Sequence, residues 1–345
     1  MPSDPRVTAV DAFTPTTHTT PGPTLLAALS PAPNSPPLST ILILGASRGI
    51  GAGIALSYAR AATPSTTLIL AARTLSPALS SVAAAARAAA AAATPHGGAI
   101  TVLERACDVA SAQSVAAVAA WVRDEVLGSG SGGDSGQRQR RRLDVVVFNP
   151  GYSGPVELAV TDGDALDGEW ERAFAVNALG TYYAAHYFVP LLLADRAGGG
   201  SGGGRKAFLV VGSVAGCIRR GVIANSKYCV SKMAQARIVE HLAEQFGGEA
   251  GDGDEEGRGL LAMAVHPGAV ETDTALETAP EAFRKYLVDD PELCGHFLVW
   301  LTREPGRFRW LNGRLVSATW DPDELLAKKD EIIAGDLLKF EVKTG

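Results

Sequence analysis

Cysteine is scarce in this 345-residue chain: Cys107, Cys217, Cys229 and Cys294 are its four thiols, and no two stand in CxxC spacing. With no secretory pattern beside them, neither a disulfide framework nor a zinc ribbon is expected, and the thiols read as reduced. The six histidines, His18, His96, His186, His241, His266 and His296, share no ligand-like spacing, so no metal is expected. Apolar runs long enough to span a membrane are missing. The first forty residues are rich in Pro, Thr and Ser, include Asp4 and Asp11, and offer no signal-peptide core. The expected location is therefore the cytoplasm. Positive charge is also in deficit, with a formal net charge of −6, and the one basic run, Arg138 to Arg142, borders a Gly/Ser tract and reads as a solvated loop. A nucleic-acid partner is not expected, because affinity there depends on neutralising phosphates.

What is present is apolar residue at 46% against 20% charged, enough to bury a sizeable core. From residue 40 short apolar runs alternate with longer Ala-rich amphipathic ones, which predicts a parallel sheet wrapped by helices. Strands are expected at Ile41–Leu44, Thr67–Ala71, Ile100–Leu103, Leu143–Phe148, Ala207–Gly212, Leu260–His266 and Arg314–Ser317. Helices are expected near Ile50–Arg60, Pro77–Ala93, Ser111–Leu127, Glu169–Ala194, Ser226–Phe246 and Pro280–Leu301. The fold class is thus α/β, a Rossmann-like doubly wound parallel sheet of about seven strands with helices on both faces. Residues 1–39 read as an N-terminal tail or arm, loosely ordered or packed on the core or a partner. Residues 40–345 read as one nucleotide-binding domain with a C-terminal extension from about 303. Linker-like tracts at 128–137, 198–204 and 247–259 each follow a helix and precede a strand, which assigns them to the edge opposite the ligand crevice.

Chemistry concentrates at predicted strand ends. After the first strand comes Gly45-Ala46-Ser47-Arg48-Gly49-Ile50-Gly51, a glycine-rich turn entering a helix. Such a turn lets a pyrophosphate approach the backbone and aims helix N–H groups at it. The second strand ends in Ala72-Arg73-Thr74, with no acid to hold a ribose hydroxyl. Arg73, with Arg48, can instead pair with a 2′-phosphate, so NADP(H) is the expected cofactor. Asp108 and Val109 follow the third strand, where Asp108 can accept from the adenine amino group, and Asn149 to Gly151 follow the fourth.

Gly212-Ser213-Val214, Tyr228-Cys-Val-Ser231-Lys232 and His266-Pro267-Gly268-Ala-Val270-Glu-Thr272 complete a set that, with Gly45–Gly51, Asn149–Gly151 and Asn177, resembles the short-chain dehydrogenase/reductase family. The resemblance covers about residues 40–275. Leu44, Phe148 and Pro150 depart from the family's usual residues, and Ser213 lies two residues farther from Tyr228 than in many members.

Tyr228 and Lys232 stand four apart on one helix, hence on one face. An ammonium there lowers the tyrosine pKa and makes the phenol a usable acid or base. The resemblance implies further roles. Lys232 and Tyr228 hold the nicotinamide ribose, Asn177 anchors a water beside Lys232, and Ser213 donates to the substrate oxygen. Pro267, Gly268, Val270 and Thr272 bind the nicotinamide end.

It also implies hydride transfer to or from a small carbonyl or alcohol substrate, and a homodimer or homotetramer. The alternatives are a dehydratase or epimerase on the same fold, or a protein that senses NADPH without turnover. Residues 273–302, ending in Phe297-Leu-Val-Trp-Leu301, read as a cover for an apolar substrate. The stretch Leu311 to Leu326 resembles the tail of fungal members that serve secondary metabolism or detoxification. Within it Asp321, Pro322 and Glu324 form a helix start, with the helix expected to run to about Phe340.

Overall fold

A computed structural model describes residues 4–30, 38–93, 99–128, 141–161, 168–194, 206–221, 223–248 and 259–342. The predicted linker residues 129–137, 198–204 and 249–258, and residues 138–140 of the basic run, lie outside the described residues.

All seven expected strands form: β1 (Thr40–Leu44), β2 (Thr67–Ala72), β3 (Thr101–Ala106), β4 (Leu143–Phe148), β5 (Ala207–Val211), β6 (Leu261–His266) and β7 (Leu315–Ser317). They make one parallel sheet in the order β3-β2-β1-β4-β5-β6-β7. Alternate side chains feed two cores. Ile41 and Ile43 of β1 pack on one face with the helices Gly49–Arg60, Pro77–Ala93 and Pro291–Arg303, while Leu42 and Leu44 pack on the other with Ala112–Trp121, Gly180–Leu193 and Ser226–Phe246. Burial on both faces is what selects unbroken Val/Ile/Leu runs over alternation. The order reverses between β1 and β4, so the crevice expected to hold a ligand opens beyond their carboxyl ends.

Three predicted helices are corrected. Glu169–Ala194 is two helices, Glu169–Phe174 and Gly180–Leu193, joined by a π-helical turn over Ala175–Leu179. Ser111–Leu127 starts at Ala112 under a Ser111 cap and turns π-helical over Val122–Val126. Pro280–Leu301 breaks into Glu281–Arg284 and Pro291–Arg303, because Asp290 caps the second helix by accepting from Glu292 N at 2.7 Å and Pro291 takes its first position. Phe297 to Leu301 then lie in the core, on the helix packed against Gly49–Arg60.

The C-terminal helix is also shorter than expected. Asp321 caps Pro322–Ala327 through Asp323 N and Glu324 N at 3.0 and 2.9 Å, but Lys329–Ala334 ends at Gly335. The chain then passes through two left-handed residues, Asp336 and Leu338, whose geometry lets Leu338 O accept from Leu315 N at 2.9 Å and close the outer edge of β7. No helix among the described residues is long and apolar enough to cross a membrane.

Residues 4–30 form a strap on the core. Phe13 packs at a tilt against the buried Trp320 with ring centroids 4.7 Å apart, and the Trp320 indole donates to Val10 O at 2.8 Å. Thr16 donates to Glu324, His18 meets Asp321 at 2.9 Å, and Leu25 is fully buried. The strap runs from the loop after β5, past Asp321, to Arg303, which donates to Ala28 O at 2.7 Å and Leu29 O at 2.6 Å.

Candidate active site

The nucleotide end is built from backbone. Gly45 sits at φ +78°, a conformation that a side chain disfavours, and its N–H donates to Ala71 O at 2.8 Å. Asn149 Nδ2 donates to Gly45 O at 2.9 Å, tying the glycine turn to the loop after β4. A Cβ on Gly51 would penetrate that same Gly45 carbonyl, so the turn admits only hydrogen there. The helix that follows begins at Arg48 with no side-chain cap and no acid in its first turn, which leaves its N-terminal dipole for an anion. Ser47 and Ile50 flank this turn, half-buried. These features fit a dinucleotide pyrophosphate.

Thr272, capping Asp273–Thr278 through Ala275 N at 3.1 Å, lies against the turn: a Cβ on Gly49 would come within 2.9 Å of its methyl. Pro267 and Gly268 follow β6, with Gly268 at φ +93°, and Val270 pairs with Asp289 in an isolated bridge. Asp108 is half-buried after β3, accepting from Ala110 N at 3.1 Å, with Val109 buried beside Gly180. Arg73 is exposed at the end of β2. Arg48 pairs with Asp273 at 3.2 Å, both side chains well exposed.

The catalytic end forms where β5 and the helix Ser226–Phe246 meet. Ser213, two residues after β5, caps a 3-10 turn by accepting from Ala215 N at 3.1 Å and lies beside the Tyr228 phenol, whose pKa it pulls down in part. One turn along the helix, Lys232 donates to Val211 O at 3.0 Å and to Gln235 Oε1 at 2.8 Å, with Nζ 5.8 Å from the Tyr228 ring centroid. Gly151 brings the loop after β4 to this pair: a Cβ there would lie 3.7 Å from Lys232 Nζ and 3.9 Å from Asn177 Oδ1.

Two features bear on how this site handles its proton. Tyr228 is not lowered by Lys232; burial pushes the phenol up to about 12, and the Ser213 hydroxyl only partly opposes this. The same burial draws Lys232 down to about 7, so its ammonium is a weak lever on the phenol. Asn177, fully buried in the π-turn, accepts from Tyr152 N at 2.8 Å and donates to Tyr152 O at 2.8 Å and to Ser231 at 2.9 Å. The Gln235 side chain joins the Asn177 main-chain carbonyl to Lys232.

Sequence reasoning missed Gln235, whose signal was its place three residues beyond Lys232 on the same helix face. It also missed His266, whose buried Nδ1 has no hydrogen-bond partner; burial and the Lys232 charge pull this imidazole down to about 4. A third omission is the strap. Val7 joins Ala215, Ile218, Ile223, Ala224 and Cys229 in an apolar cluster that includes Tyr228. Asp4 Oδ2 holds the neighbouring loop by accepting from Arg219 N at 2.9 Å and Arg220 N at 3.2 Å.

The profile of the short chain dehydrogenase family matches residues 39–282. A short chain dehydrogenase of Monascus purpureus, mpl6, is 35% identical over 303 residues, 88% of each chain. Another, pgmD of Aspergillus terreus, is 31% identical over 306 residues, 88% of this chain and 86% of that one. Among solved structures, a short-chain dehydrogenase/reductase from Mycobacterium marinum superposes with a TM-score of 0.59 at 21% identity, covering 85% of this chain and 96% of its own. A 7α-hydroxysteroid dehydrogenase complexed with NADH and 7-oxo glycochenodeoxycholic acid gives 0.57 at 19% identity, covering 81% and 92%. The chain therefore belongs to the short-chain dehydrogenase family, whose members use a nicotinamide dinucleotide.

Proposed function

We propose that this protein is an NADPH-dependent reductase of a small, largely apolar carbonyl compound. The observation that carries the reading is the gathering of Ser213, Tyr228 and Lys232 at the end of β5, with Lys232 Nζ 5.8 Å from the Tyr228 ring centroid and hydrogen-bonded to Val211 O. The bound dinucleotide supplies the hydride. Tyr228 donates its proton to the substrate oxygen as charge builds there, and Ser213 steadies that oxygen with a hydrogen bond. Lys232, Tyr228, Pro267, Gly268, Val270 and Thr272 would hold the nicotinamide half, and Gly45, Ser47, Gly49, Ile50, Gly51, Asn149 and Gly151 the phosphates and adjoining ribose.

Preference for the 2′-phosphate rests on Arg73, exposed at the end of β2 where the sequence has no acid. Asp108 and Val109 would face the adenine. The apolar substrate class rests on Val7, Ile218 and Ile223 around Tyr228, not on Phe297 to Leu301. In the same reading the protein works in the cytoplasm as a homodimer or homotetramer, and four free cysteines suit a reducing compartment.

The test is a panel of ketones and aldehydes read by nicotinamide absorbance with NADPH and with NADH. Consumption of NADPH that disappears in Tyr228→Phe is expected, with NADH at least tenfold poorer by kcat/KM. An NADH advantage overturns the cofactor assignment. A Tyr228→Phe variant that still turns over overturns the acid. Tight NADPH binding with no consumption on any member moves the chain to the sensor class.

A further inference from the structure

We propose that Gln235 is a positioning residue of this site, whose carboxamide replaces solvent between Lys232 and the Asn177 main chain and so confines proton exchange to the substrate side. The inference rests on the reading of Tyr228 and Lys232 as the proton-handling pair.

Gln235 is fully buried. Its Oε1 accepts from Lys232 Nζ at 2.8 Å, and its Nε2 donates to Asn177 O at 3.0 Å and to Thr181 Oγ1 at 2.8 Å. Thr181 Oγ1 in turn donates to Asn177 O at 2.7 Å. The orientation is forced. The Asn177 main-chain carbonyl only accepts, so a flipped amide would set acceptor against acceptor there; Nε2 must face Asn177 O and Oε1 is left for Lys232. The π-turn over Ala175–Leu179 carries the Asn177 carbonyl that receives both side-chain donors, a local irregularity of the kind found at functional sites.

Two consequences follow. An ammonium has three N–H groups; Val211 O and Gln235 take two of them, which leaves one for the side of Tyr228 and the crevice. A carboxamide holds hydrogen bonds without releasing a proton near neutrality, unlike a water, so the inner end of Lys232 is closed to proton transfer. The titratable groups facing Lys232 are Tyr228 on its own helix and His266 at the end of β6; Val211 of β5, Gly151 after β4 and Asn177 of the π-turn present neutral groups.

The experiment compares Gln235→Glu and Gln235→Met in the full chain. The readouts are the alkaline limb of the kcat profile and, without cofactor, ultraviolet titration of the Tyr228 phenol. Because the ammonium is the working form, a carboxylate at this place should move the limb up by about one pH unit or more, and loss of the acceptor should move it down by a similar amount. The phenol titration should move the opposite way. Limbs that stay put or move together in both variants, while Tyr228→Phe remains dead, overturn the role of Gln235 alone; surviving turnover in Tyr228→Phe overturns the reading beneath it. Should both Gln235 variants fail to fold, Thr181→Val decides. It loosens one anchor of the amide, so a smaller downward shift supports the proposal and an unmoved limb overturns it.

Discussion

Replacing Asp4 by alanine should free the N-terminal helix Pro5–Asp11 from the active-site loop without unfolding the protein. Asp4 is buried and its carboxylate spans the two segments: Oδ2 takes Arg219 N and Arg220 N at 2.9 and 3.2 Å, and Oδ1 takes Arg6 N at 3.0 Å and the Arg6 guanidinium at 2.9 Å. Only the first two bonds cross to the loop. At about 1.5 kcal/mol each, the lower figure for hydrogen bonds to a charged acceptor, they contribute about 3 kcal/mol to docking, roughly a hundredfold in the docked-to-undocked ratio. The rest of the strap stays, because Thr16, His18 and Val10 are held independently by Glu324, Asp321 and Trp320. Since Val7 belongs to the apolar cluster around Tyr228, the substrate KM should rise several-fold with little change in the Tm.

Amide hydrogen exchange at Arg219 and Arg220 is the direct assay. Their protection should fall by about two orders of magnitude in Asp4→Ala, and by less in Asp4→Asn, which keeps an acceptor and loses the charge. The sign of the acid dependence follows from the carboxyl being held at about 2 against its ordinary 3.8, first by the Arg219 N–H. A folded value below the unfolded one means that the stabilisation is complete above 3.8 and is lost as the pH falls through about 2. Wild-type protection should therefore hold from neutrality to about pH 4 and weaken below it, a step absent from the alanine variant. Equal protection of the two amides in wild type and Asp4→Ala at pH 7 would refute the clasp.

Two further substitutions probe the nucleotide end. Gly51→Ala puts a methyl into Gly45 O, so dinucleotide affinity by fluorescence titration should fall at least tenfold, and an unchanged Kd would show that the turn is not the phosphate cradle. Gly295→Ala places a Cβ 2.8 Å from Ile54 Cα and 2.9 Å from Gly53 O, forcing apart the helices Gly49–Arg60 and Pro291–Arg303; about 1–3 kcal/mol of overpacking should appear as a Tm several degrees lower, and an unshifted Tm would mean that the helices separate freely.

The strands were legible because burial on both faces demands continuous apolar runs, and β5 coincides with the unbroken run Ala207–Val211. The split at Asp290-Pro291 carried a readable start signal that the Ala/Leu/Glu-rich surroundings concealed. The π-turn at Ala175–Leu179 has no comparable mark, since its apolar pattern continues that of the helices on either side. Ser213, Tyr228 and Lys232 stood out by type and spacing. Gln235 did not, because a polar residue on a long helix reads as solvent-facing until tertiary contacts bury it. The strap was opaque for another reason: its partners Trp320, Asp321 and Glu324 lie about 300 residues away, beyond any local pattern.

Those distant partners bear on how the site is kept in shape. The loop after β5 carries Ser213 and includes Arg219 and Arg220, so its far end needs an anchor if the serine is to stay beside Tyr228. The core provides little there, as Arg219 and Arg220 are exposed. Asp4 provides it from the chain's other end, and residues 16–18 brace the strap against the C-terminal helix start at Asp321. The inner side of the site is held differently, by neutral hydrogen bonds among Asn177, Thr181 and Gln235 in full burial, where an unpaired charge would cost far more. Charge therefore secures the wet rim and amides secure the dry interior. Exchanging the two should fail asymmetrically: Asp4→Asn loosens a loop, whereas a carboxylate at Gln235 must draw on the Lys232 ammonium to be tolerated at all.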